Sequence, residues 1–260
     1  MKFGRKFLLL GILILSFSIW LQACGTGNSS NGSSGSKDKL IVATDATYAP
    51  MEYMDDEGKI VGIDIDIVKA IAEAAGFEVE FKNYGWEPLF AAVENGEVDF
   101  AVSSITIDPD REKTFDFSDP YFVANQLILV PEDTDIESFE DLKDKKVSVQ
   151  INTTGHKVVK GLLGNTSLDI VATETMPLAI TEMLNGNADA AVGDNSVVLE
   201  YVKNNPNVEL KTIEDASFEK EYYGLMVQKG NNEVVDLLNE GIKKIKEDGT
   251  LKEITGLDIE

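Results

Sequence analysis

The 260-residue chain holds one cysteine and one histidine, Cys24 and His156. A single thiol forms no intrachain disulfide, and the pair falls short of the four soft ligands of a structural zinc site. Positive charge is scarce too: 23 Lys and Arg stand against 46 Asp and Glu, a formal net charge of −23. Such a surface repels phosphate backbones, and no basic run offsets it, so nucleic acid is excluded as a partner. The sequence has no GxSxG, HExxH, calcium-loop or phosphate-loop motif. No catalytic residue, metal or cofactor is therefore expected. What remains is an ordinary globular composition, 43% hydrophobic and 27% charged, in a length that suits one large domain or two ordinary ones.

Residues 1–23 read as a secretion signal. Lys2, Arg5 and Lys6 precede an uncharged apolar run, Phe7 to Leu21, whose 15 residues fall short of a membrane span, which needs ~20. The run closes on Gln22-Ala23-Cys24 and resembles a bacterial lipoprotein signal, which implies lipidation of Cys24 and an extracytoplasmic chain anchored to the cell membrane. An ordinary secreted protein with Cys24 lost or free is the other reading. Residues 24–38 are Gly, Ser, Asn and Thr almost throughout, a flexible linker that buries no core. Folding is expected to begin near Lys39.

From there the pattern is β-α-β. Lys39 to Thr44 reads as a buried strand; Ile65, Val68, Ile71, Ala72 and Ala75 recur at helical spacing, with Asp64 as N-cap and Gly76 past the end; Phe77, Val79 and Phe81 alternate as in a strand. Asp55 to Gly58 reads as a hairpin turn. A second copy follows, with a strand at Lys146 to Gln150, the loop Asn152-Thr153-Thr154-Gly155, and a helix from about His156, whose ring is expected in solvent at the helix start. Asn95-Gly96-Glu97-Val98-Asp99 and Asn185-Gly186-Asn187-Ala188-Asp189 carry the same phrase, each closing a helix and opening a strand. The two strands deliver Ser103-Ser104 and Asp194. An α/β fold of two lobes follows, each offering polar residues at strand carboxyl ends, where open α/β sheets bind ligands. The helix from about Asn232 to Asp248 is expected to return to the first lobe. That requires two crossings: lobe 1 comprises residues 39–122 and 224–260, lobe 2 residues 126–219, and the hinges lie near 121–125 and 219–223.

Arg111 is the only arginine beyond residue 23; every other cation there is a lysine. A guanidinium grips a carboxylate with two parallel bonds, which an ammonium cannot do. Arg111 follows the Ser103-Ser104 strand end by a short polar turn, so it reads either as a carboxylate clamp or as a surface partner of Asp108 and Asp110. Asp194 reads either as the ligand for an ammonium or as the N-cap of the next helix. Together the pair would recognise an amino-acid head, with hydroxyls and N–H groups from Ser103, Ser104, Thr106 and Thr153. Asp45, Tyr48 and Trp86 suit a cationic side chain, an aromatic face contributing about 0.5–2 kcal/mol; the alternative is rim packing and a turn cap.

These residues sit in longer phrases: VATDATYAPMEY (42–53), GKIVGIDIDIVKAIAEAAG (58–76), GEVDFAVSSITIDPDREKTFDFSDPYF (96–122), VSVQINTTG (147–155) and NADAAVGDNSVV (187–198). In this order they resemble the polar amino-acid branch of bacterial solute-binding proteins that serve ABC importers. The resemblance implies a periplasmic-binding-protein-like fold of type II, two α/β lobes joined by two hinge strands, and a monomer that passes an L-amino acid to a permease with its ATPase subunit. It implies a carboxylate clamp at Arg111 with Ser104, Thr106 and Thr154, an ammonium ligand at Asp194, and side-chain contacts at Asp45, Tyr48 and Trp86. The wording at Gly85 to Pro88, at Gln150 to Gly155 and at Glu221 to Gly224 is similar to arginine-type binders, pointing to arginine, lysine or histidine, with glutamine as the alternative. Asn152 replaces a glycine common there, and the C-terminus lacks the aromatic ending of the family, leaving the packing of the last helix open. Secreted cyclohexadienyl dehydratases share the resemblance and define a rival reading, with Glu52 or Asp45 as general acid; an adhesin or sensor module is a third.

Overall fold

Buried apolar residues at Val42 and Ala43 anchor strand β1 (Lys39–Thr44), the first element among residues 39–259, which a computed structural model describes. The expected signal, Cys24 and the linker lie outside the described residues. Three short antiparallel strands follow, β2 (Thr47–Tyr48), β3 (Glu52–Met54) and β4 (Ile60–Val61). The β3–β4 connection is the hairpin expected at Asp55 to Gly58, in which Asp55 Oδ1 accepts the N–H groups of Glu57 and Lys59.

Helix α1 (Ile63–Ala75) buries Ile65, Ile67, Val68, Ile71 and Ala72 and ends at Gly76 in the left-handed region. Its start corrects the expected cap. Gly62 holds that position at φ 129°, where a Cβ would stand 2.2 Å from the Met51 carbonyl oxygen. Asp64 lies inside the first turn, fully buried, and turns across the fold instead, accepting the Ser104 N–H at 2.7 Å and the Tyr121 hydroxyl at 2.9 Å. Next come β5 (Glu78–Asn83), α2 (Trp86–Glu94), β6 (Phe100–Ala101), β7 (Phe115–Phe117) and β8 (Phe122–Ala124).

The second copy runs β9 (Gln126–Pro131), β10 (Val147–Gln150), α3 (Thr154–Leu163), β11 (Ile170–Thr173), α4 (Met176–Leu184), β12 (Ala190–Asp194), α5 (Asn195–Asn204) and β13 (Leu210–Ile213). The chain returns through β14 (Glu221–Tyr223), β15 (Met226–Gln228), α6 (Asn232–Glu247) and α7 (Thr250–Thr255). One five-stranded sheet has the order β5-β1-β6-β15-β7 and the other β11-β10-β12-β9-β13. Between them β8 pairs antiparallel with β14. The fold is thus of the type II periplasmic-binding-protein kind, two α/β lobes joined by two hinge strands.

The repeated phrase has a common mechanical role. Asp99 returns a backbone pair to Ile41, its N–H donating to the Ile41 carbonyl and its carboxylate accepting the Ile41 N–H at 2.6 Å. Asp189 does the same to Lys146, with the carboxylate contact at 2.7 Å. In both lobes this aspartate locks the third parallel strand beside the first and fixes where its carboxyl end emerges. The last helix is secured as well: Leu251 is buried, and α7 packs against α1 and α6.

Candidate functional site

β1, β5 and β6 run parallel in one lobe and β10, β11 and β12 in the other, so their carboxyl ends collect on one edge of each sheet. Asp45 follows β1, Ser103 and Ser104 follow β6, Thr153 and Thr154 follow β10, which ends in Gln150, and Asp194 ends β12. Tyr48 ends β2, Trp86 opens α2, and Arg111 opens a single tight turn, Arg111–Lys113. All eleven residues picked out in the sequence, namely Asp45, Tyr48, Trp86, Ser103, Ser104, Thr106, Arg111, Gln150, Thr153, Thr154 and Asp194, line one cavity together with Glu52.

Arg111 pairs with neither Asp108 nor Asp110. Those two share Lys157, each at 2.8 Å. The guanidinium instead donates to the Thr106 carbonyl at 2.9 Å and the Asn152 carbonyl at 3.3 Å, and lies 5.4 Å from the ring centres of both Trp86 and Phe90. Burial pulls its pKa down, and the charges of Asp108, Glu221 and Asp194 oppose that pull. With two of five N–H groups spent on carbonyls, the fork keeps donors for an anion. Trp86, expected against a ligand cation, thus already carries the guanidinium of Arg111.

Asp194 stands at the N-cap position of α5 yet caps nothing. Its carboxylate accepts Gln126 Nε2 at 2.6 Å and the Tyr223 hydroxyl at 2.5 Å. Burial pushes its pKa up to about 6; the charge of Glu221 adds to the rise, and hydrogen bonds from Tyr223, Gln126 and Tyr48 oppose it. Asp45 is buried as well, which raises its pKa against the contacts of Thr47 and Gln150. It accepts the Thr47 hydroxyl at 3.1 Å, so the turn contact of the alternative reading is present.

Beneath the cavity lies a carboxyl pair, of which Glu52 entered the sequence reading only as a rival general acid and Asp64 as a cap. Ser103 Oγ donates to Glu52 at 2.8 Å and Ser104 Oγ at 3.4 Å. Burial and the neighbouring Asp64 hold Glu52 well above the ordinary carboxyl range, while Asp64 is pushed to about 6 by burial against the N–H of Ser104 and its other donors. Ser104 reaches this contact in the left-handed region, φ 49°.

The Thr-Thr-Gly loop survives the Asn152 substitution: Asn152 adopts φ 57°. Thr153 is the N-cap of α3, its hydroxyl accepting the His156 N–H and donating to the Gln150 carbonyl at 2.8 Å. Its hydroxyl is committed to the helix. Contrary to expectation His156 is buried, 5% exposed, because Nδ1 accepts the Asn152 N–H at 3.0 Å and closes the loop. Gly155 lets the loop approach Gln126, whose Oε1 would stand 2.6 Å from a Cβ there. At the cleft mouth Asn152 Nδ2 also bonds Glu87, so this contact, the Arg111–Asn152 contact and the Lys157 pairs all join the two lobes. Gln126, Glu221 and Tyr223 were not assigned to the site, although Glu221 and Tyr223 fell within the expected hinge and the Glu221 to Gly224 wording. The signal for Gln126 is a polar side chain at the edge of an apolar run, before Leu127 to Val130.

Comparison with known proteins agrees with this fold. The chain is similar to a probable histidine-binding protein of Neisseria gonorrhoeae, 39% identical over 237 residues, covering 90% of this chain and 88% of that one. It is similar to the arginine-binding extracellular protein ArtP of Bacillus subtilis (strain 168), 32% identical with 96% of each chain covered. Among solved structures, that of the arginine-, lysine-, histidine-binding protein ArtJ from Geobacillus stearothermophilus superposes with a TM-score of 0.80 at 46% identity, covering 84% of this chain and 93% of that one. All three are described as binding proteins. Among the described residues no helix is long and apolar enough to cross a membrane. The family model for bacterial extracellular solute-binding proteins, family 3, matches residues 40–256, and the chain belongs to that family.

Proposed function

We propose that the protein is the extracytoplasmic binding component of an ABC importer and that it captures a basic L-amino acid, arginine, lysine or histidine. The observation that carries this is the cavity between the two sets of strand ends, with one arginine and the buried carboxylates Asp194 and Asp45 around it. Arg111 and the N–H groups near Thr154 take the ligand carboxylate, and Asp194 takes its ammonium. The side chain runs past Tyr48 and Trp86, toward Asp45 and Gln150. Ligand stabilises the closed population, and the closed form is what a permease recognises. On this reading lobe 1 is 39–122 with 224–260, lobe 2 is 126–219, and bending occurs at 121–125 and 219–223. The leader 1–23 is removed, Cys24 carries a lipid anchor, residues 24–38 are the tether, and the protein works as a monomer without chemistry of its own.

Purified protein, stripped of carried-over ligand by unfolding and refolding, is heated with each of a panel of L-amino acids. A ligand at 100 times its Kd adds about 2.7 kcal/mol, a shift of about 5–10 °C for a protein of this size. Arginine, lysine or histidine should raise the midpoint and glutamate should not. A response to glutamine alone would retain the site and overturn the basic preference. Turnover of prephenate or arogenate would overturn the absence of chemistry, with Glu52 as the acid.

A further inference from the structure

Glu221 opens β14, the returning hinge strand, and pairs with Ala124 on the outgoing one. From there its carboxylate collects three hydrogen bonds. Thr106 Oγ1 donates to Oε2 at 2.6 Å, Thr154 Oγ1 donates to the same oxygen at 2.7 Å, and Gln126 Nε2 donates to Oε1 at 2.9 Å. Thr106 belongs to the part of the chain that builds the first sheet, Thr154 and Gln126 to the part that builds the second. One carboxylate on a hinge strand therefore fastens both sides of the cleft.

The bonds also fix a polarity. A hydroxyl owns one proton, and an ionised carboxylate only accepts. With their protons given to Glu221, Thr106 and Thr154 face the cavity with lone pairs alone. Ser103 and Ser104 also direct their hydroxyls at Glu52, but that carboxyl is held well above the ordinary range and carries a proton of its own to donate, so the polarity of the serines is not fixed in this way. Gln126 Nε2 shares its amide protons among Asp194, Glu221 and, at 3.2 Å, Thr154 Oγ1, which leaves Thr154 one lone pair for the cavity. The two threonine hydroxyls thus offer nothing to the ligand carboxylate, which is left to Arg111 and backbone N–H groups. They supplement Asp194 as acceptors for an ammonium.

We propose that Glu221 is a positioning residue that couples lobe closure to recognition of the ligand's ammonium: its hinge carboxylate draws Thr106 and Thr154 together across the cleft and turns both hydroxyls into acceptors. This rests on the amino-acid reading above. Glu221→Leu tests it, since leucine fills much of the same space but accepts no hydrogen bond, which frees both hydroxyl protons toward the cavity. Calorimetry with L-arginine, L-lysine and L-histidine should show each ligand that binds the wild type weakened at least tenfold, by factors agreeing within threefold. 5-Guanidinopentanoate, which is arginine without its ammonium, should bind wild type and variant within twofold of each other in competition. Unchanged arginine affinity, or an equal loss for 5-guanidinopentanoate, overturns the proposal. If the variant does not fold, Thr154→Val should reproduce the pattern with at least threefold loss for arginine and none for the analogue; loss for both overturns it. Failure of the wild type to bind any of the three amino acids overturns the function reading itself, an outcome distinct from the others.

Discussion

Acidification should move the stability of the ligand-free protein and its affinity for ligand in opposite directions, and Asp194 supplies the reason. The folded chain protonates this carboxyl at about 6, the unfolded chain near the ordinary 3.8. Between those values the folded state holds more protons, so stability rises as pH falls through 6 toward 4 and is lost again as pH climbs back. The whole gap corresponds to about 3 kcal/mol, of which about 1 kcal/mol is gained between pH 7 and pH 5. Asp64, also at about 6, adds to the gain, whereas His156, whose pKa burial lowers, opposes it in the same window. The contribution of Asp194 is therefore read as a difference from Asp194→Asn. Between pH 7 and pH 5 the wild-type Tm should rise by about 2–4 °C more than that of the variant. Affinity follows the charged form. At pH 5 about nine-tenths of Asp194 is protonated without ligand, so calorimetry with L-arginine should give a Kd about tenfold weaker than at pH 7, with proton release on binding near pH 6. Parallel Tm profiles for wild type and variant would refute the raised pKa. An unchanged Kd would refute the ammonium role.

Two substitutions test the remaining charges. Arg111→Lys keeps the cation but loses the fork and the guanidinium contact with Trp86 and Phe90, so affinity measured by calorimetry should fall at least tenfold, about 1.4 kcal/mol; an unchanged value would remove Arg111 from the clamp. Asp45→Asn should weaken arginine more than glutamine, and equal losses would make Asp45 a turn residue only, held by its Thr47 contact.

The strand ends were legible because backbone geometry announces itself in sequence. Asn-Gly closes a helix, and an aspartate three residues after the glycine in both copies ties the next strand to its neighbour, so the positions of Ser103, Ser104 and Asp194 followed from spacing alone. Arg111 was legible through rarity. Residues whose side chains cross the fold were not. Asp64 has the spacing of an N-cap, and nothing local says that Gly62 takes the cap while the carboxylate seeks Ser104 and Tyr121, 40 and 57 residues away. His156 reads as a solvated helix start until the Asn152 N–H is brought to its ring. Glu221 lies in a phrase whose apparent purpose is the hinge, and its partners Thr106 and Thr154 are 115 and 67 residues distant. Such contacts depend on lobe packing, which periodicity does not encode.

Charge balance is what argues for a basic ligand over a neutral one. Arg111 is the one cation among the cavity-lining residues, and Asp45, Asp194 and Glu52 line the same space, Glu52 pushed toward its neutral form by burial and by Asp64, with Glu221 bonded to two of the threonines. A zwitterionic head sets its carboxylate against Arg111 and its ammonium against Asp194, adding no net charge. Asp45 then remains buried beside whatever the side chain brings. A guanidinium, ammonium or protonated imidazole answers it with a hydrogen bond and an opposite charge, while an amide answers with a hydrogen bond that leaves the buried charge unneutralised. A side-chain carboxylate would set a second anion against a group that burial already disfavours as an ion. The expected order is therefore cationic, then amide, with acidic side chains rejected, and it is set by Asp45 alone, because the head contacts are common to all amino acids.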